Sequence, residues 1–523
     1  MELLRQLLTP ALAPLLNRGA ALAVGRFHRR NPVTTQRELL FHLLRKGSAT
    51  RFGIDHGFAS LLRKPWDQAY DDYRRSVPIR NYADFWRDYF GAGYSDNGGR
   101  KSLELDNVTW PGRVRLFCET SGTTAPTKYI HFTPEMFAAN QRAARDLVAH
   151  YLAAVPGNRL LRGRFLYLSG CTELSSLGTG VESGDMSAIT LRHAPSSLRS
   201  FVAPSAKISA LPWGSKVEAL TELLLSDGGI TGISGVPPWI LLLLERVRVV
   251  GGKSLPELLP NLELIIHGGT SMAPYRREFD KLFGHRPPRF LELLPSSEGF
   301  MGFQLPGEEE MRFTPYYGVF FEFVPFCHLD GQGGVPPDAP SFPLEEVRCG
   351  ERYAIIMSTC AGLWRYHIGD TIRFTSLAPL AFQFTGRDRF LDRFEEKVTQ
   401  GEVDKAVAEV NREGVAEIVE FMVGPVIGER RHLWILAVRG TSLPEEQLAE
   451  LLDGKLMTLN ADYAAFRRQG RIHPPTVVTV AEDAIYRWSR EVRGKLGGQS
   501  KIPHIDPTPE GELVRSLAAF ARE

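Results

Sequence analysis

The sequence has few cysteines, no long apolar run and no excess of charge of either sign. Its five cysteines are scattered, never follow C-x-x-C spacing, and stand at Cys118, Cys171, Cys327, Cys349 and Cys360. An odd and dispersed set argues against a disulfide framework and against a zinc site. We therefore expect a protein of the reducing cytoplasm.

The charged residues almost cancel, with 62 Lys and Arg against 60 Asp and Glu and a net charge of +2. This balance provides no positive field for nucleic acid. The Ile240–Leu244 run is far shorter than the roughly 20 residues of a membrane span. The first 30 residues have a helical apolar period, interrupted by Pro10 and Pro14, but no signal-peptide pattern. We expect no nucleic acid partner and no stable membrane insertion, with an interfacial helix at the start as the alternative.

A chain of 523 residues is too long for a single hydrophobic core, so at least two domains are expected. The composition changes after Phe382–Arg389, and beyond this segment short helical and strand patterns alternate. This indicates a small α+β domain of a usual size. We predict a domain over residues 1–388, a second over 389–523, and a hinge at Asp388–Arg389.

A hydroxyl-rich loop stands between two predicted strands and reads T-S-G-T-T-A-P-T-K from Thr120 to Lys128. Glycine permits tight backbone geometry, backbone and hydroxyl groups can donate to phosphate oxygens, and the lysine adds a positive charge. The loop lacks the second glycine directly before lysine that defines the kinase and GTPase P-loop. It is predicted to bind phosphate, and an ordinary Ser/Thr-rich hairpin is the alternative.

Two further loops follow predicted buried strands. Gly268 and Gly269 come after the strand Leu262–His267 and before a helix, which is the α/β pattern that places ligands at strand carboxyl ends. Ser296-Ser297-Glu298 comes after the strand Phe290–Leu294, and a carboxylate there suits Mg²⁺ bridging to phosphates. Each loop taken alone is also compatible with an ordinary surface turn.

Three more segments contain candidate functional residues. Asp370 follows Gly369 in a turn, where a carboxylate can accept hydrogen bonds from a ribose diol, and an ordinary β-turn Asp is the alternative. Lys501 stands in a glycine-rich tail before Pro503, which suits a lysine that reaches into another domain's cleft, and a solvated tail lysine is the alternative. The polar segment Leu174–Met186 is either a binding loop or an irregular surface loop. Residues 313–326 and 344–359 are predicted to be strands of an antiparallel element.

Taken together, these segments resemble the acyl acid amido synthetases of the plant Gretchen Hagen family and their bacterial relatives, within the adenylate-forming superfamily. The resemblance covers most of the chain, and the three nucleotide motifs occur in the family's order. It implies an α/β fold, in which a large N-terminal domain has mixed sheets flanked by helices and a β-barrel-like part. A smaller α+β C-terminal domain carries the catalytic lysine and is expected to rotate between half-reactions.

The resemblance also implies roles for individual residues. Ser121, Gly122, Thr123, Thr124 and Lys128 match the phosphate loop, and Gly268 and Gly269 match the adenine-side turn. Ser296, Ser297 and Glu298 correspond to the adenine and magnesium motif, and Asp370 to the ribose ligand. Arg387 and Lys397 are further nucleotide contacts, and Lys501 is the catalytic lysine. Thr120 and His367 depart from the family pattern, which usually has Ser and commonly Arg there.

The activity implied is ATP- and Mg²⁺-dependent activation of a small carboxylic acid as acyl-AMP, followed by transfer to an amine or amino acid. Glu298 would hold the metal and act with Lys501 in catalysis. No protein nucleophile is required, so neither Cys118 nor Cys171 is predicted to form a thioester. Two alternatives stay open: an acyl-CoA ligase on the same fold, and a nucleotide-binding protein without turnover.

Overall fold

The computed structural model of the protein describes residues 2–120, 127–170, 172–193, 201–330, 333–387, 390–394, 396–494, 501–506, 508 and 510–522. Within these ranges a twelve-stranded sheet, here called the large sheet, organises the structure. From one edge to the other its strands are Phe342–Pro343, Val319–Pro325, Arg352–Thr359, Tyr366–Leu377, Leu380–Arg387, Met311–Phe313, Phe300–Gln304, Arg289–Pro295, Leu264–Gly268, Ile230–Gly235, Arg164–Tyr167 and Val202–Ala203.

The large sheet is parallel in one half and antiparallel in the other. The strands from Val202–Ala203 to Arg289–Pro295 pair in parallel, and the remaining pairs are antiparallel. Parallel strands covered on both faces read as continuous apolar runs, as Leu264, Ile265 and Ile266 do. The antiparallel strands continue this same sheet instead of forming a separate barrel.

The predicted strand over 344–359 is too long at its start. Residues Leu344–Glu346 form a 3-10 turn, and the strand runs only over Arg352–Thr359. Gly350 takes φ +85°, a left-handed conformation that breaks an extended strand just before Arg352. The predicted strand over 313–326 runs only over Val319–Pro325, and its antiparallel pairing with Arg352–Thr359 is as predicted.

Helices cover both faces of the large sheet. Among the described residues before 388 the helices are Glu2–His28, Pro32–Gly47, Arg51–Asp55, Phe58–Leu61, Trp66–Ser76, Tyr82–Phe85, Pro134–Ala154, Met186–Arg192, Ala206–Ser209, Trp213–Ser226, Pro237–Gly251, Leu255–Leu258 and Arg276–Phe283. The first runs through both prolines, and its Phe27 is buried in the core against His150. None of the described helices combines the length and apolar character needed to cross a membrane.

A four-stranded sheet carries the predicted phosphate loop. Its strands, in order, are Lys128–His131, Leu116–Thr120, Glu182–Gly184 and Ser175–Ser176. The first two form an antiparallel hairpin in which Thr120 pairs with Lys128. The long helix after the hairpin begins as the sequence predicts, because the Thr133 hydroxyl caps it at 3.2 Å from the Met136 N–H and Pro134 fills its first turn. A separate two-stranded ribbon joins Tyr94–Asn97 to Arg100–Leu103.

The C-terminal part is built on a three-stranded sheet of Ile418–Val426, Arg431–Val438 and Thr476–Ala481. Its helices are Gln400–Glu413, Glu445–Leu459, Ala461–Arg468, Ala484–Glu491 and Glu512–Phe520. Trp434 and Leu436 enter one apolar cluster while Ile435 and Ala437 enter another. This alternation shows that helices cover both faces of the sheet.

Glu292, in the large sheet beside His267, makes stability depend on pH. Burial raises the pKa of its carboxyl to about 7, whereas an unfolded glutamate titrates near about 4.3. Between these values the folded protein binds more protons, so stability falls as pH rises. As the pH rises from 5 to 8, we expect the melting temperature to fall less in Glu292→Gln than in the parent. The exposed Glu309→Gln serves as control, and an unchanged pH dependence in Glu292→Gln would contradict the assignment.

Candidate active site

Two loops meet at the carboxyl edge of the parallel strands. Leu264–Gly268 pairs in parallel with Arg289–Pro295, so Gly269 and Glu298 follow neighbouring strand ends. A Cβ on Gly268 would lie 2.3 Å from the Leu293 carbonyl oxygen, and Gly269 has φ +85°. Glycine is therefore required at both positions, and the turn presents bare backbone to the cleft.

Lys501, from the C-terminal part, lies directly on this turn. A Cβ on Gly269 would be 3.2 Å from the lysine Cε and 3.5 Å from its Nζ. Lys501 keeps a solvent-exposed surface, but it sits in a crowded cleft where protein atoms displace water. That desolvation, and next the charge of Arg387, lower the pKa of Lys501, while Asp370 and Glu298 act in the opposite direction.

Glu298 is buried at the base of the same cleft, with 7% of its surface exposed. Burial raises the pKa of its carboxyl, and the charge of Lys128 opposes this rise. The hydroxyl of the buried Tyr366 lies beside this carboxylate. Burial raises the pKa of Tyr366, and the negative charge of Glu298 raises it further. The Lys128 ammonium lies 5.7 Å from the centre of the Tyr82 ring. A buried carboxylate thus faces a lysine from the phosphate-loop hairpin.

Asp370 and Arg387 form an ion pair that the strand register creates. They are directly opposite each other on the antiparallel strands Tyr366–Leu377 and Leu380–Arg387. Arg387 Nε donates to Asp370 Oδ1 at 3.0 Å, and half of the arginine side chain stays exposed. The Asp370 carboxylate is thereby fixed in orientation at the edge of the cleft.

Ser296 and Ser297 shape the loop that carries Glu298. The Ser296 hydroxyl accepts from the Gly299 N–H at 3.1 Å and donates to the Gly299 carbonyl at 3.0 Å, which closes the turn. Ser297 lies against the Cys118 thiol, whose pKa is raised well above its usual value by burial. Cys118 is therefore a protonated thiol and a poor nucleophile.

The remaining predicted site residues are Lys397 and several that lie outside the described part of the chain. Lys397 has φ +45°, its N–H donates to Asp392 at 3.2 Å, and its carbonyl accepts from Asn460 at 3.2 Å. These bonds hold it within the C-terminal part, so its nucleotide contact stays a prediction. Several other predicted residues lie outside the described ones: Ser121, Gly122, Thr123, Thr124, Cys171, Asp388, Arg389, Gln499 and Ser500.

The structure adds Asp185, which the sequence analysis placed in a possible binding loop without assigning it a role. Its carboxylate caps the helix Met186–Arg192 by accepting from the Ser187 N–H at 2.7 Å. Its negative charge opposes the lowering of the Lys501 pKa and, after burial, adds to the raised pKa of Tyr167, so Asp185 lies near the cleft. The sequence signal that could have identified Asp185 is its place after a glycine, at the end of a polar loop and the start of a helix.

His367 is one of the two residues that the sequence resemblance marks as departures. Burial lowers the pKa of its imidazole to about 4. The side chain is therefore uncharged at neutral pH, and it cannot replace an arginine as a cation.

Family models match three parts of the chain. They are the GH3 family N-terminal domain over residues 26–219, the GH3 family central domain over 313–387 and the GH3 family C-terminal domain over 401–510. All three belong to one family, they occur in chain order, and together they match most of the chain.

Curated relatives match shorter stretches. The chain is 28% identical over 293 residues to indole-3-acetic acid-amido synthetase GH3.4 of Arabidopsis thaliana, covering 51% of this chain and 48% of the relative. It is 32% identical over 181 residues to jasmonoyl-L-amino acid synthetase JAR4 of Nicotiana attenuata, covering 32% and 30%. The matches thus span about half or less of the length of these relatives.

Solved structures match nearly the whole chain. A GH3.15 acyl acid amido synthetase superposes with a TM-score of 0.73 at 17% identity and covers 93% of both chains. A 2-hydroxyisobutyryl-CoA ligase in the postadenylation state gives 0.58 at 12% identity, covering 92% of this chain and 91% of the ligase. The architecture is therefore the adenylate-forming fold, with a large N-terminal and a smaller C-terminal domain, as predicted. The chain belongs to the GH3 family, which confirms the family predicted from its motifs.

Proposed function

We propose that the protein is an ATP-dependent acyl acid amido synthetase. It would activate a carboxylic acid as acyl-AMP with release of pyrophosphate, then transfer the acyl group to an amine or amino acid with release of AMP. One observation carries this proposal: Lys501 lies on the Gly269 turn and interacts electrostatically with Glu298 and Asp370, although the three residues come from distant parts of the chain. Membership of a family whose named relatives are amido synthetases supports it.

In the first step a carboxylate oxygen forms a bond to the α-phosphorus of ATP, and the bond to pyrophosphate breaks with its electron pair. Two anions approach each other, so positive charge at the phosphates lowers the barrier. Lys501 and Lys128 would supply it, since each interacts electrostatically with the buried Glu298. Holding these charges in place before the reaction avoids reorganisation during it.

The nucleotide sugar would contact Asp370. Its Oδ1 accepts from Arg387, and an ionised carboxylate has further lone pairs to accept ribose hydroxyls. The adenine would lie along the backbone of Gly268 and Gly269, which carries no side chains. At Gly268 a Cβ would collide with the Leu293 carbonyl of the neighbouring strand. In the second step the amine nitrogen attacks the acyl carbon, its proton is lost, and AMP leaves.

The residues of the cleft fit Mg²⁺. This ion takes oxygen ligands and needs only one or two carboxylates beside substrate phosphates, and Glu298 provides carboxylate oxygens in the loop after the strand Arg289–Pro295. Within the described residues no group of three His, Cys, Asp or Glu forms a dedicated metal site. Mg²⁺ on Glu298 would neutralise phosphate charge when bound.

The described cysteines Cys118, Cys327, Cys349 and Cys360 are all free thiols. Free thiols persist in reducing compartments, which supports the proposal that the protein acts in the cytoplasm.

The deciding experiment measures pyrophosphate release with ATP and Mg²⁺ against a panel of carboxylic acids, including indole-3-acetate and jasmonate. Each acid is tested alone, with pooled amino acids, with polyamines and with coenzyme A. Acid-dependent release accelerated by an amine supports the amido synthetase. Acceleration by coenzyme A alone would establish an acyl-CoA ligase. Saturable ATP binding without release for any acid would indicate a nucleotide-binding protein without turnover.

Glu298→Gln is expected to shift the Mg²⁺ concentration needed for half-maximal pyrophosphate release upward. The amide keeps the shape but not the negative charge, and weakening even an outer-shell partner of a metal typically costs about 10–100-fold in affinity or activity, so we expect at least about tenfold here. A Mg²⁺ titration of initial rates measures it. Glu309 has an exposed carboxylate, so Glu309→Gln is the control. An unchanged Mg²⁺ dependence in Glu298→Gln would show that Glu298 is not the metal ligand.

A further inference from the structure

A buried cluster of charged and hydroxyl groups lies between the two parts of the protein, beside Lys501. His504 belongs to the same short segment, residues 501–506, as the lysine. The cluster lines one small cavity, together with Lys501, through Tyr275, Glu420, Tyr486 and His504. Since Lys501 shares this cavity, the cluster is in a position to determine where the lysine lies.

Within the cluster, His504 is held between two carboxylates. Its Nδ1 is 2.5 Å from Asp404 Oδ1 and its Nε2 is 3.0 Å from Glu420 Oε1. Burial by itself lowers the pKa of His504, but Asp404 and Glu420 outweigh it and raise the pKa to about 10. The ring is therefore an imidazolium that donates from both nitrogens at neutral pH. Its backbone carbonyl also accepts from the Val423 N–H at 2.8 Å, which ties the segment to the C-terminal sheet.

Tyr275 connects this cluster to the large domain. It follows the Gly268–Gly269 turn, in the 3-10 turn Ala273–Tyr275. Its hydroxyl is 3.3 Å from Glu420 Oε2 and 3.3 Å from His504 Nε2. The tyrosine is 2% exposed, so its hydrogen bonds are shielded from water. The stretch from Gly268 to Tyr275 thus provides both the turn that Lys501 contacts and the hydroxyl that contacts His504 in the segment 501–506.

The other polar contacts between the two parts include a buried one at the same turn, where the Asn411 amide donates to the Pro274 carbonyl at 3.2 Å, and several more exposed ion pairs. Arg439 pairs with Glu245 at 2.7 Å, and Lys281 pairs with Glu417 at 2.5 Å. The lysine is 42% exposed and the arginine 29% exposed. Exposed ion pairs contribute little and tolerate changes in geometry, so they are poorly suited to fix a side chain precisely.

We propose that Tyr275, acting through Glu420 and His504, is a positioning residue that places Lys501 against the Gly269 turn for the adenylation step. This inference rests on the proposed function and deepens it, because it assigns a role to residues that do not touch the reacting atoms. The hydroxyl of Tyr275 reaches from one domain to the other, whereas the bond from Tyr486 to the same Glu420, at 3.0 Å, stays within the C-terminal part. Tyr486 therefore provides a matched comparison.

The test compares Tyr275→Phe with Tyr486→Phe in the full-length chain. Each variant loses one hydroxyl bonded to Glu420 and keeps its ring. The first half-reaction is measured as acid-dependent exchange of pyrophosphate into ATP, and the second as attack of the amine on chemically prepared acyl-AMP. We expect Tyr275→Phe to lower the exchange rate about tenfold, as loss of a hydrogen bond to a charged group allows. Aminolysis and melting temperature should remain close to those of the parent.

Three outcomes would overturn the proposal: unchanged exchange in Tyr275→Phe, equal losses in both half-reactions, or an equal loss of exchange in Tyr486→Phe. Hydrogen exchange of the peptide over 501–506 provides a readout that needs no turnover. It should quicken in Tyr275→Phe and not in Tyr486→Phe, and unchanged protection in Tyr275→Phe also counts against the proposal. If the parent itself shows no acid-dependent exchange, the proposed function fails, and the peptide measurement alone decides whether Tyr275 holds the segment.

Discussion

Lys501→Ala is expected to slow acid-dependent pyrophosphate release by roughly a hundredfold or more, since removing one preorganised contact to a developing charge typically costs about 2.7–4 kcal/mol of barrier. Lys501 lies within contact distance of the Gly269 turn and shares the cleft with Glu298, Asp370 and Arg387. Its ammonium would offset the negative charge that gathers as the carboxylate approaches the phosphate. Initial rates at saturating ATP and acid measure the loss.

Two variants sharpen this result. Lys405→Ala removes an exposed lysine from a helix of the same C-terminal part and should leave the rate unchanged. Lys501→Arg keeps the positive charge but replaces a compact ammonium with a planar guanidinium, so it should recover only part of the activity. Undiminished pyrophosphate release in Lys501→Ala would show that another group carries the charge neutralisation.

Arg365→Met is expected to lower the free energy of unfolding by about 3–5 kcal/mol, the usual cost of removing one partner of a buried ion pair. Arg365 Nε donates to Glu322 Oε2 at 3.0 Å, and the two side chains are 6% and 1% exposed. The guanidinium also donates to the carbonyls of Arg74 at 2.9 Å and Val77 at 2.7 Å. Methionine fills a similar volume but leaves the carboxylate and both carbonyls with fewer donors.

Denaturant unfolding of Arg365→Met measures the loss, and a second substitution tests its cause. In Arg365→Met with Glu322→Leu the unpaired carboxylate is gone, so we expect much of the stability to return. Tyr70 and Ser341, which also donate to Glu322 at 3.1 and 3.2 Å, then lose that acceptor, and recovery should be incomplete. A single variant as stable as the parent would show that Glu322 becomes protonated or solvated at little cost.

The local features of the site were predictable from the sequence. The Gly268–Gly269 turn after an apolar strand, the Glu298 loop after the next strand and the Thr133 cap before Pro134 are all found where the pattern places them. Each depends on backbone preferences and apolar periodicity within a few residues. The resemblance of the three nucleotide motifs and the Lys501 tail, in their order, was enough to predict the family and the adenylate-forming fold, both of which are confirmed.

Only the tertiary structure decided which residues far apart in the chain contact each other. The Arg387–Asp370 pair depends on the register of two strands, and the Tyr275–Glu420–His504 cluster joins segments separated by up to 229 residues. The approach of Asp185 to Lys501 and the bonds that keep Lys397 in the C-terminal part are of the same kind. A sequence pattern encodes local conformation and which face is apolar, but it does not encode which distant polar groups burial brings together. The sequence therefore determined the family, the fold and the strand-end motifs, and folding determined how their charges are paired and held.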